Sequence, residues 1–369
     1  MKVMTLLGTR PELIKLSSIM KKLDKYTEHI IVHTGQNHDY ELNEIFYSDL
    51  GLRKPDYFLS VVGKTFGETI GNIMARTEEV LLKEKPDAVV ILGDTNSALG
   101  GYIAKRLKIP IFHLEAGNRC FDPNVPEEIN RGILDHLADV NMVYCENSRR
   151  YLLSEGVAKE RIFVMGSPMA EVFLDCQTAI SNSKILNKLE LKEKEYFVAS
   201  IHRDENTEIK ENLDKLVIAL NTLAEKYNKP IILSTHPRLM KKIELHDIKF
   251  DSRVKVLKPF GFGDYITLQM NSLCVLSDSG TISEESAILG FPAVTIRNAI
   301  ERPEAIDVGS IVMTGTDPSN VIKCVELVLD KFEPGNCPTD YQVFNTSERV
   351  LRVILGYTGY INKYIWHKR

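Results

Sequence analysis

Short, largely apolar runs alternate along this chain with longer stretches whose apolar positions recur every three or four residues. Residues 3–7, 29–33, 87–92, 109–113, 140–144 and 162–164 are runs of the first kind. Each reads as a strand, and 87–92 as a continuous apolar one, as a parallel sheet requires. Leu13, Leu16, Ile19, Met20 and Leu23 form a one-sided stripe, and residues 66–83 form another, so both predict amphipathic helices. Thr9 is placed to cap the first helix, and Pro11 suits its first turn. This βαβ repetition predicts a doubly wound, Rossmann-like α/β domain over residues 1–175. Residues 176–195 are polar and rich in Lys and Glu, and read as the connection to a second domain, 176–346. There the runs 196–201, 230–235, 254–257, 274–276 and 292–295 predict a second parallel sheet. Residues 347–369 are expected to be a last helical segment, interrupted at Gly356 and Gly359. Two such domains are expected to face each other, with the carboxyl ends of their strands lining one cleft.

Composition narrows the partners. A chain of 369 residues is long enough for two ordinary domains, and 44% hydrophobic with 26% charged residues is a soluble globular balance. A formal net charge of −4 gives no general attraction for nucleic acid or an anionic membrane, so any anion site has to be built locally. The six cysteines are scattered without a CxxC pair, and Cys145 and Cys274 lie in strand-like runs as small core residues. That usage suits a reducing cytoplasm. The chain opens directly on a strand, so no signal peptide is expected, and no apolar run approaches the roughly 20 residues of a membrane span.

The candidate chemistry lies just after the strands. Ser277-Asp278-Ser279-Gly280-Thr281-Ile282-Ser283-Glu284-Glu285 follows one apolar run and opens a helix that Gly290 closes as C-cap. A strand, a Ser-Gly turn and a new helix expose backbone N–H groups and hydroxyls where a phosphate can sit. Glu285, an acid beside an anion site, suits sugar hydroxyls, as in nucleotide folds whose acid holds a ribose. The plain structural alternative is a helix start capped by Ser279 or Thr281, with Glu284 completing a capping box. Arg10 and Lys15 follow the first strand, Asp94 the third run and Glu115 the fourth. Glu127, Glu128 and Arg131 lie on a proline-started helix, His202 and Arg203 follow residues 197–201, and His236 and Arg238 follow residues 232–235. Singly, each has a structural explanation: Asp94 as an N-cap, Glu127 answering a helix dipole, His236 as a satisfied core histidine, Arg131 and Arg203 as solvated charges. Together they predict one site where acid–base work is done and basic groups balance a diphosphate.

Six motifs then carry a resemblance. Gly8-Thr9-Arg10-Pro11-Glu12, Gly93-Asp94-Thr95, Glu115-Ala116-Gly117-Asn118-Arg119, Pro126-Glu127-Glu128-Ile129-Asn130-Arg131, Asp278-Ser279-Gly280 with Glu284-Glu285, and Glu301-Arg302-Pro303-Glu304 resemble the non-hydrolysing UDP-N-acetylglucosamine 2-epimerase family, in its order and over nearly the whole chain. The resemblance implies a GT-B arrangement, with the final helix returning to the first domain. It also implies an isomerase that needs no metal or nicotinamide, acts on a UDP-linked 2-acetamido sugar and forms a homodimer. The C2 hydrogen of such a sugar has no adjacent carbonyl. A carboxylate would therefore take the proton as UDP leaves C1, giving a 2-acetamidoglycal to which UDP re-adds after protonation of the opposite face. By resemblance Asp94 and Glu127 are the proton-handling pair, Glu115 a supporting acid–base or positioning group, and His202 a stabiliser of the departing diphosphate. Arg10, Ser279, Gly280 and Thr281 are assigned to phosphate, Glu285 to ribose, and an aromatic within residues 259–265, with Tyr265 the candidate, to the uracil. Lys15, Arg131 and Arg203 are expected to complete the substrate- and UDP-binding set.

Two departures from the family pattern stand out. Ser279-Gly280-Thr281 replaces the usual Ser-Gly-Gly. Gln36-Asn37-His38-Asp39 stands where typical bacterial members carry the Gln-His-Arg run of an activating UDP-sugar site, so that site is not expected. Residues 113–122, Ser234-Thr235-His236-Pro237-Arg238 and residues 356–362 are most similar to the capsule and O-antigen members that make UDP-N-acetyl-L-fucosamine from a 6-deoxy-L-talose sugar. The rival readings are a hydrolysing epimerase, a GT-B glycosyltransferase and a UDP-sugar-binding protein without catalysis. The last two do not need several carboxylates in the first domain.

Overall fold

The structure is a computed structural model describing residues 1–35, 47–235, 237–331, 333 and 335–368, without the side chains of 237 and 238. Gln36-Asn37-His38-Asp39, His236 and the Arg238 side chain lie outside the described residues. The chain divides into two compact units, one formed by Met1–Asp175 with Thr339–Arg369, the other by Cys176–Pro338. Residue 339, rather than 347, is where the chain rejoins the first unit.

In the first unit β1 (Lys2–Leu7), β2 (Glu28–His33), β3 (Tyr57–Phe58), β4 (Ala88–Leu92), β5 (Ile111–Leu114), β6 (Val140–Val143) and β7 (Ile162–Val164) form a parallel sheet in the order β3-β2-β1-β4-β5-β6-β7. Strands β4, β5 and β6 are buried along their whole length, which is why their sequences read as apolar runs broken only by the buried His113 and Asn141. Met4, Leu6, Val32, Val89, Ile91 and Ile111 pack in one core with Leu134 of the Pro126–Leu137 helix. The strand order reverses between β1 and β4, and the register Leu6 to Ile91 brings their carboxyl ends level. Ligands of open α/β sheets bind outside that point of reversal.

The second unit repeats the plan with β8 (Phe197–Ile201), β9 (Ile231–Thr235), β10 (Val254–Leu257), β11 (Val275–Ser277), β12 (Ala293–Thr295) and β13 (Val312–Met313), ordered β10-β9-β8-β11-β12-β13. Here the order reverses between β8 and β11, level at Ser200 and Ser277. The architecture is two Rossmann-like parallel-sheet units of the GT-B kind. Strands β3 and β13 were not expected from the sequence, since two residues are too short to show a period.

The stretch expected as a connection is structured. Gln177–Ser181 and Ile185–Lys188 are short helices packed beside the Phe262–Asn271 helix. The Thr267 hydroxyl donates to the Ile180 carbonyl at 3.0 Å and Ser183 to Asp264 at 2.5 Å. Ile185 is buried while its Lys and Glu neighbours take the solvent side, and that polar majority hides the packing in the sequence. The last helix spans Thr346–Tyr360 and continues as a π-turn over Ile361–Ile365. It packs on the Arg10–Tyr26 helix, and the Ser347 N–H and hydroxyl both donate to Glu171, at 2.7 and 2.5 Å. Among the described residues no helix is long and apolar enough to cross a membrane.

Candidate active site

The loops after β1 and β4 are joined by a buried acid. Glu12 lies in the first turn of the Arg10–Tyr26 helix, 2% exposed. Its carboxylate accepts the Gly8 N–H at 3.0 Å, the Thr9 hydroxyl at 2.7 Å and the Thr95 hydroxyl at 3.0 Å. Thr9 sits at the N-cap position, but its hydroxyl turns to Glu12 instead of capping the helix. A Cβ on Gly8 would come within 1.9 Å of the Ser97 hydroxyl and 2.2 Å of the Thr34 hydroxyl, so only glycine lets the β1 loop lie against the β4 loop. Burial pushes the Glu12 carboxyl up to about 7, against the opposing pull of its three donors. The folded state therefore binds this proton more tightly than the unfolded chain. The resulting stability is full below about pH 4.5 and is lost as pH rises through about 7. Measured by denaturant unfolding, wild type is expected to lose about 3 kcal/mol relative to Glu12→Gln between roughly pH 4 and pH 8.

Asp94 follows β4 and is turned to the Pro126–Leu137 helix. Its carboxylate pairs with Arg131 Nε at 2.7 Å, and its carbonyl accepts Asn130 Nδ2 at 2.8 Å. Thr95, not Asp94, occupies the N-cap of the Asn96–Gly100 turn. Arg131 also pairs with Glu128 at 2.6 Å, and Glu128 accepts the N–H groups of Cys120 and Phe121. Burial raises the Glu128 carboxyl, but those N–H groups and Arg131 outweigh it and hold the group below its usual range. Glu127, half-buried, lies in the first turn of the same helix, one turn before Arg131.

Glu115 follows β5, whose register with β4 brings Leu114 level with Leu92. Its backbone holds φ +61°, in the left-handed region that a non-glycine residue enters at a cost of about 1–3 kcal/mol. The buried carboxylate is bonded to Lys15 Nζ and accepts the Tyr144 hydroxyl at 3.0 Å. Lys15 is itself buried, so this is an ion pair in a low-dielectric setting rather than a solvated contact. A second buried network lies beneath. His113 Nε2 meets the Gly93 carbonyl at 2.9 Å and its Nδ1 lies 2.9 Å from Asp135, at an angle too oblique for a good hydrogen bond. Asp135 also accepts the Gly117 N–H at 3.1 Å and Arg119 Nη1 at 2.7 Å. These contacts hold the backbones on either side of Glu115 and before Asp94. Burial raises the Asp135 carboxyl, while His113 and Arg119 bring it below its ordinary value.

In the second unit Asp278 organises the loop after β8. Fully buried, it accepts the N–H groups of His202 and Arg203, both at 3.0 Å, and Asn206 Nδ2 at 3.1 Å, and lies 2.8 Å from His202 Nδ1. Burial raises its carboxyl, but His202 and the other donors bring it down to about 2. The His202 side chain is 39% exposed, and with Nδ1 on the carboxylate its Nε2 is the nitrogen left for other work. In the next turn the Gly280 carbonyl accepts Arg302 Nη1 at 2.9 Å, and Arg203 Nη2 is 3.4 Å from where a Gly280 Cβ would lie. Glu284 does not complete a capping box; it pairs with buried Arg302 at 3.0 Å. Ser279 and Thr281 hydroxyls are 2.9 Å apart, and Thr281 donates to Glu285 at 2.6 Å. Gly290 closes the Ile282–Leu289 helix in the left-handed conformation, as expected. Arg10 is half-buried at the start of its helix, and Tyr265 half-buried in the Phe262–Asn271 helix.

The structure thus gathers Lys15 with Glu115, Asp94 with Arg131, His202 with Asp278, and Ser279 with Thr281 and Glu285. Sequence reasoning did not assign roles to Glu12, Tyr144, Asp278 or Arg302. Glu12 had one signal, its position three residues after Thr9; Tyr144 had none. Among the described residues no group of three or more His, Cys, Asp or Glu is arranged to hold a metal ion.

A family model described as UDP-N-acetylglucosamine 2-epimerase matches residues 21–355. The chain is similar to a solved UDP-N-acetylglucosamine 2-epimerase from Rickettsia bellii, at 47% identity and TM-score 0.94 over 100% of both chains. It is 37% identical to the enzyme of the same name from Methanocaldococcus jannaschii over 96% of this chain and 99% of that one. A crystal structure of that protein in complex with UDP-GlcNAc and UDP superposes with TM-score 0.90, covering 96% of this chain and 100% of the other. A UDP-2,3-diacetamido-2,3-dideoxy-D-glucuronate 2-epimerase from Pseudomonas aeruginosa is 35% identical over 90% of this chain and 93% of its own length.

Proposed function

The chain belongs to the UDP-N-acetylglucosamine 2-epimerase family of isomerases, and on that premise we propose that it inverts C2 of UDP-N-acetylglucosamine without hydrolysis. The observation that carries the proposal is a set of three carboxylates around the level ends of adjacent strands: Asp94 after β4, paired with Arg131 one turn beyond Glu127 on the same helix, and Glu115 after β5, whose carboxylate meets the buried Lys15 and the Tyr144 hydroxyl. Glycosyl transfer or simple UDP binding requires no such set of acids, whereas moving a proton on and off C2 from opposite faces requires two.

In this reading Asp94 and Glu127 handle the protons. One takes the C2 proton; the C–H electrons form the C1–C2 double bond, and the C1–O bond breaks toward UDP. The intermediate is a 2-acetamidoglycal. The other acid delivers a proton to the opposite face of C2 as a UDP oxygen re-forms the bond to C1. Arg131 fixes Asp94, and Lys15 and Tyr144 orient Glu115 as the supporting group. His202, set by Asp278, stabilises the departing diphosphate together with Arg10, Arg203, Ser279 and the backbone N–H groups of the turn at Gly280. Glu285 takes the ribose and Tyr265 the uracil. The enzyme works as a homodimer supplying a surface-polysaccharide precursor, a role that rests on the resemblance.

A second substrate, UDP-2-acetamido-2,6-dideoxy-L-talose, is favoured by the Ser279-Gly280-Thr281 turn and by residues 356–362, which resemble the members that act on it. That the P. aeruginosa relative bears the name of another UDP-sugar 2-epimerase fits a family that varies the sugar. Proton NMR in D2O separates the readings. With UDP-N-acetylglucosamine, deuterium at C2 together with a UDP-N-acetylmannosamine signal is the expected result. Free N-acetylmannosamine would assign the hydrolysing reaction instead. Exchange only with the 6-deoxy-L-talose sugar would select the second substrate, and no exchange with either would overturn the catalytic reading.

A further inference from the structure

The hydroxyl protons of the turn after β11 can be counted. Thr281 stands at the N-cap of the Ile282–Leu289 helix, yet its side chain caps nothing there. Its hydroxyl donates to Glu285 Oε1 at 2.6 Å, and Gln269 Nε2 donates to Glu285 Oε2 at 2.7 Å. A hydroxyl has one proton, so with Thr281 spent on Glu285 the 2.9 Å contact between Ser279 and Thr281 must run from Ser279 to Thr281 Oγ1. The Thr281 N–H faces Ser279 Oγ at 3.4 Å, a weak contact that leaves this direction unchanged. The proton order is therefore Ser279 to Thr281 to Glu285, with Gln269 on the other carboxylate oxygen. Glu285 is 8% exposed and Gln269 fully buried, so this is a built arrangement rather than a solvated one.

We infer that Thr281 is a positioning residue for ribose recognition rather than a phosphate ligand. The inference rests on the reading of Glu285 as the ribose acid. A phosphate oxygen accepts and cannot donate, so a hydroxyl already committed to Glu285 has no proton to offer it. What Thr281 supplies is a fixed donor on Glu285 Oε1, opposite Gln269 on Oε2, so that both carboxylate oxygens are held in one orientation before the nucleotide arrives. A preset acceptor discriminates more sharply between a ribose hydroxyl and its absence than one that must be ordered on binding. Glycine at this position would leave Oε1 without this donor and Ser279 free to rotate. The threonine thus has a physical task that the usual second glycine of the turn cannot perform.

The test is calorimetric binding of UDP, 2′-deoxy-UDP and 3′-deoxy-UDP to wild type, Thr281→Val and Thr281→Ser. Valine keeps the branched shape and removes the donor; serine keeps the donor. For wild type, UDP is expected to bind more tightly than at least one deoxy analogue. In Thr281→Val that preference should shrink about tenfold, the usual worth of a hydrogen bond to a charged group, and in Thr281→Ser it should return. Equal weakening of all three ligands in Thr281→Val would place the residue on the phosphate side and overturn the inference, as would an unchanged preference. Thermal melts of each variant identify any loss of fold, in which case Thr281→Ser against Thr281→Gly supplies the same comparison. Failure of wild type to bind UDP would instead overturn the underlying assignment of the turn.

Discussion

Replacing Asp94 with asparagine is expected to lower kcat by about a thousandfold while UDP still binds. Asparagine matches aspartate in shape but cannot take a proton from carbon, so the loss falls on the chemical step. The fold should tolerate the change. Asp94 is partly exposed, and its partner Arg131 keeps an ion pair to Glu128 at 2.6 Å, so no buried guanidinium is stranded. The asparagine oxygen can still accept Arg131 Nε. Turnover and C2 deuterium exchange should therefore fall together, with UDP affinity measured by calorimetry within a few-fold of wild type. Turnover near that of wild type would remove Asp94 from the mechanism. A parallel collapse of UDP binding would mean that Asp94 holds structure rather than moves a proton.

Asp278→Ala is expected to destabilise the protein by about 4 kcal/mol, the range for removing one member of a buried charged hydrogen-bonded cluster. The variant strips the acceptor from two backbone N–H groups, from Asn206 and from the His202 ring at once. It leaves the Asn206 amide buried and the two N–H groups partly buried at the end of β8, with only the His202 ring open to solvent. The pH dependence has a definite sign. A carboxyl lowered from 3.8 to about 2 contributes stability that is present above the unfolded value and lost as pH falls through the folded one. The gap between wild type and Asp278→Ala should thus narrow on acidification from roughly pH 5 to pH 2, by about 2 kcal/mol. Scanning calorimetry at a series of pH values measures both effects. A melting temperature for Asp278→Ala within a degree or two of wild type would show that water replaces the carboxylate at no cost.

The same cluster has a catalytic side. In the proposed mechanism His202 meets the diphosphate, and Asp278 acts only through the orientation of that ring. Its loss should therefore reach turnover through His202 even in preparations where the fold survives.

Much of the architecture was decided by the chain's local pattern. A strand buried on both faces has few polar positions to spare, so β4 stands out as a continuous apolar run, and β6 and β8 as runs broken only by Asn141 and Ser200. Helices one face deep show their stripe, and Gly290 marks an end because the left-handed conformation favours glycine. The candidate residues were legible for a related reason. A polar residue directly after a buried strand must lie at the sheet's carboxyl edge, and Arg10, Asp94, Glu115, His202 and Ser279 all do. Pattern alone, however, names a face and not a partner. That Glu12 closes the β1 loop onto Thr95, that Asp278 receives the N–H groups of His202 and Arg203 from 76 and 75 residues away, and that His113 and Asp135 brace the backbones around Glu115 depend on which strands become neighbours. Those neighbours are set by crossover connections, not by sequence distance. Burial of an acid follows from the same packing, so the raised Glu12 and the lowered Asp278 carboxyls could not be read from residues that look alike in the sequence. The chain's periodicity determined where the strands and their polar ends would be; only the order in which those strands pack determined which polar ends meet, because charge and hydrogen bonding act through space.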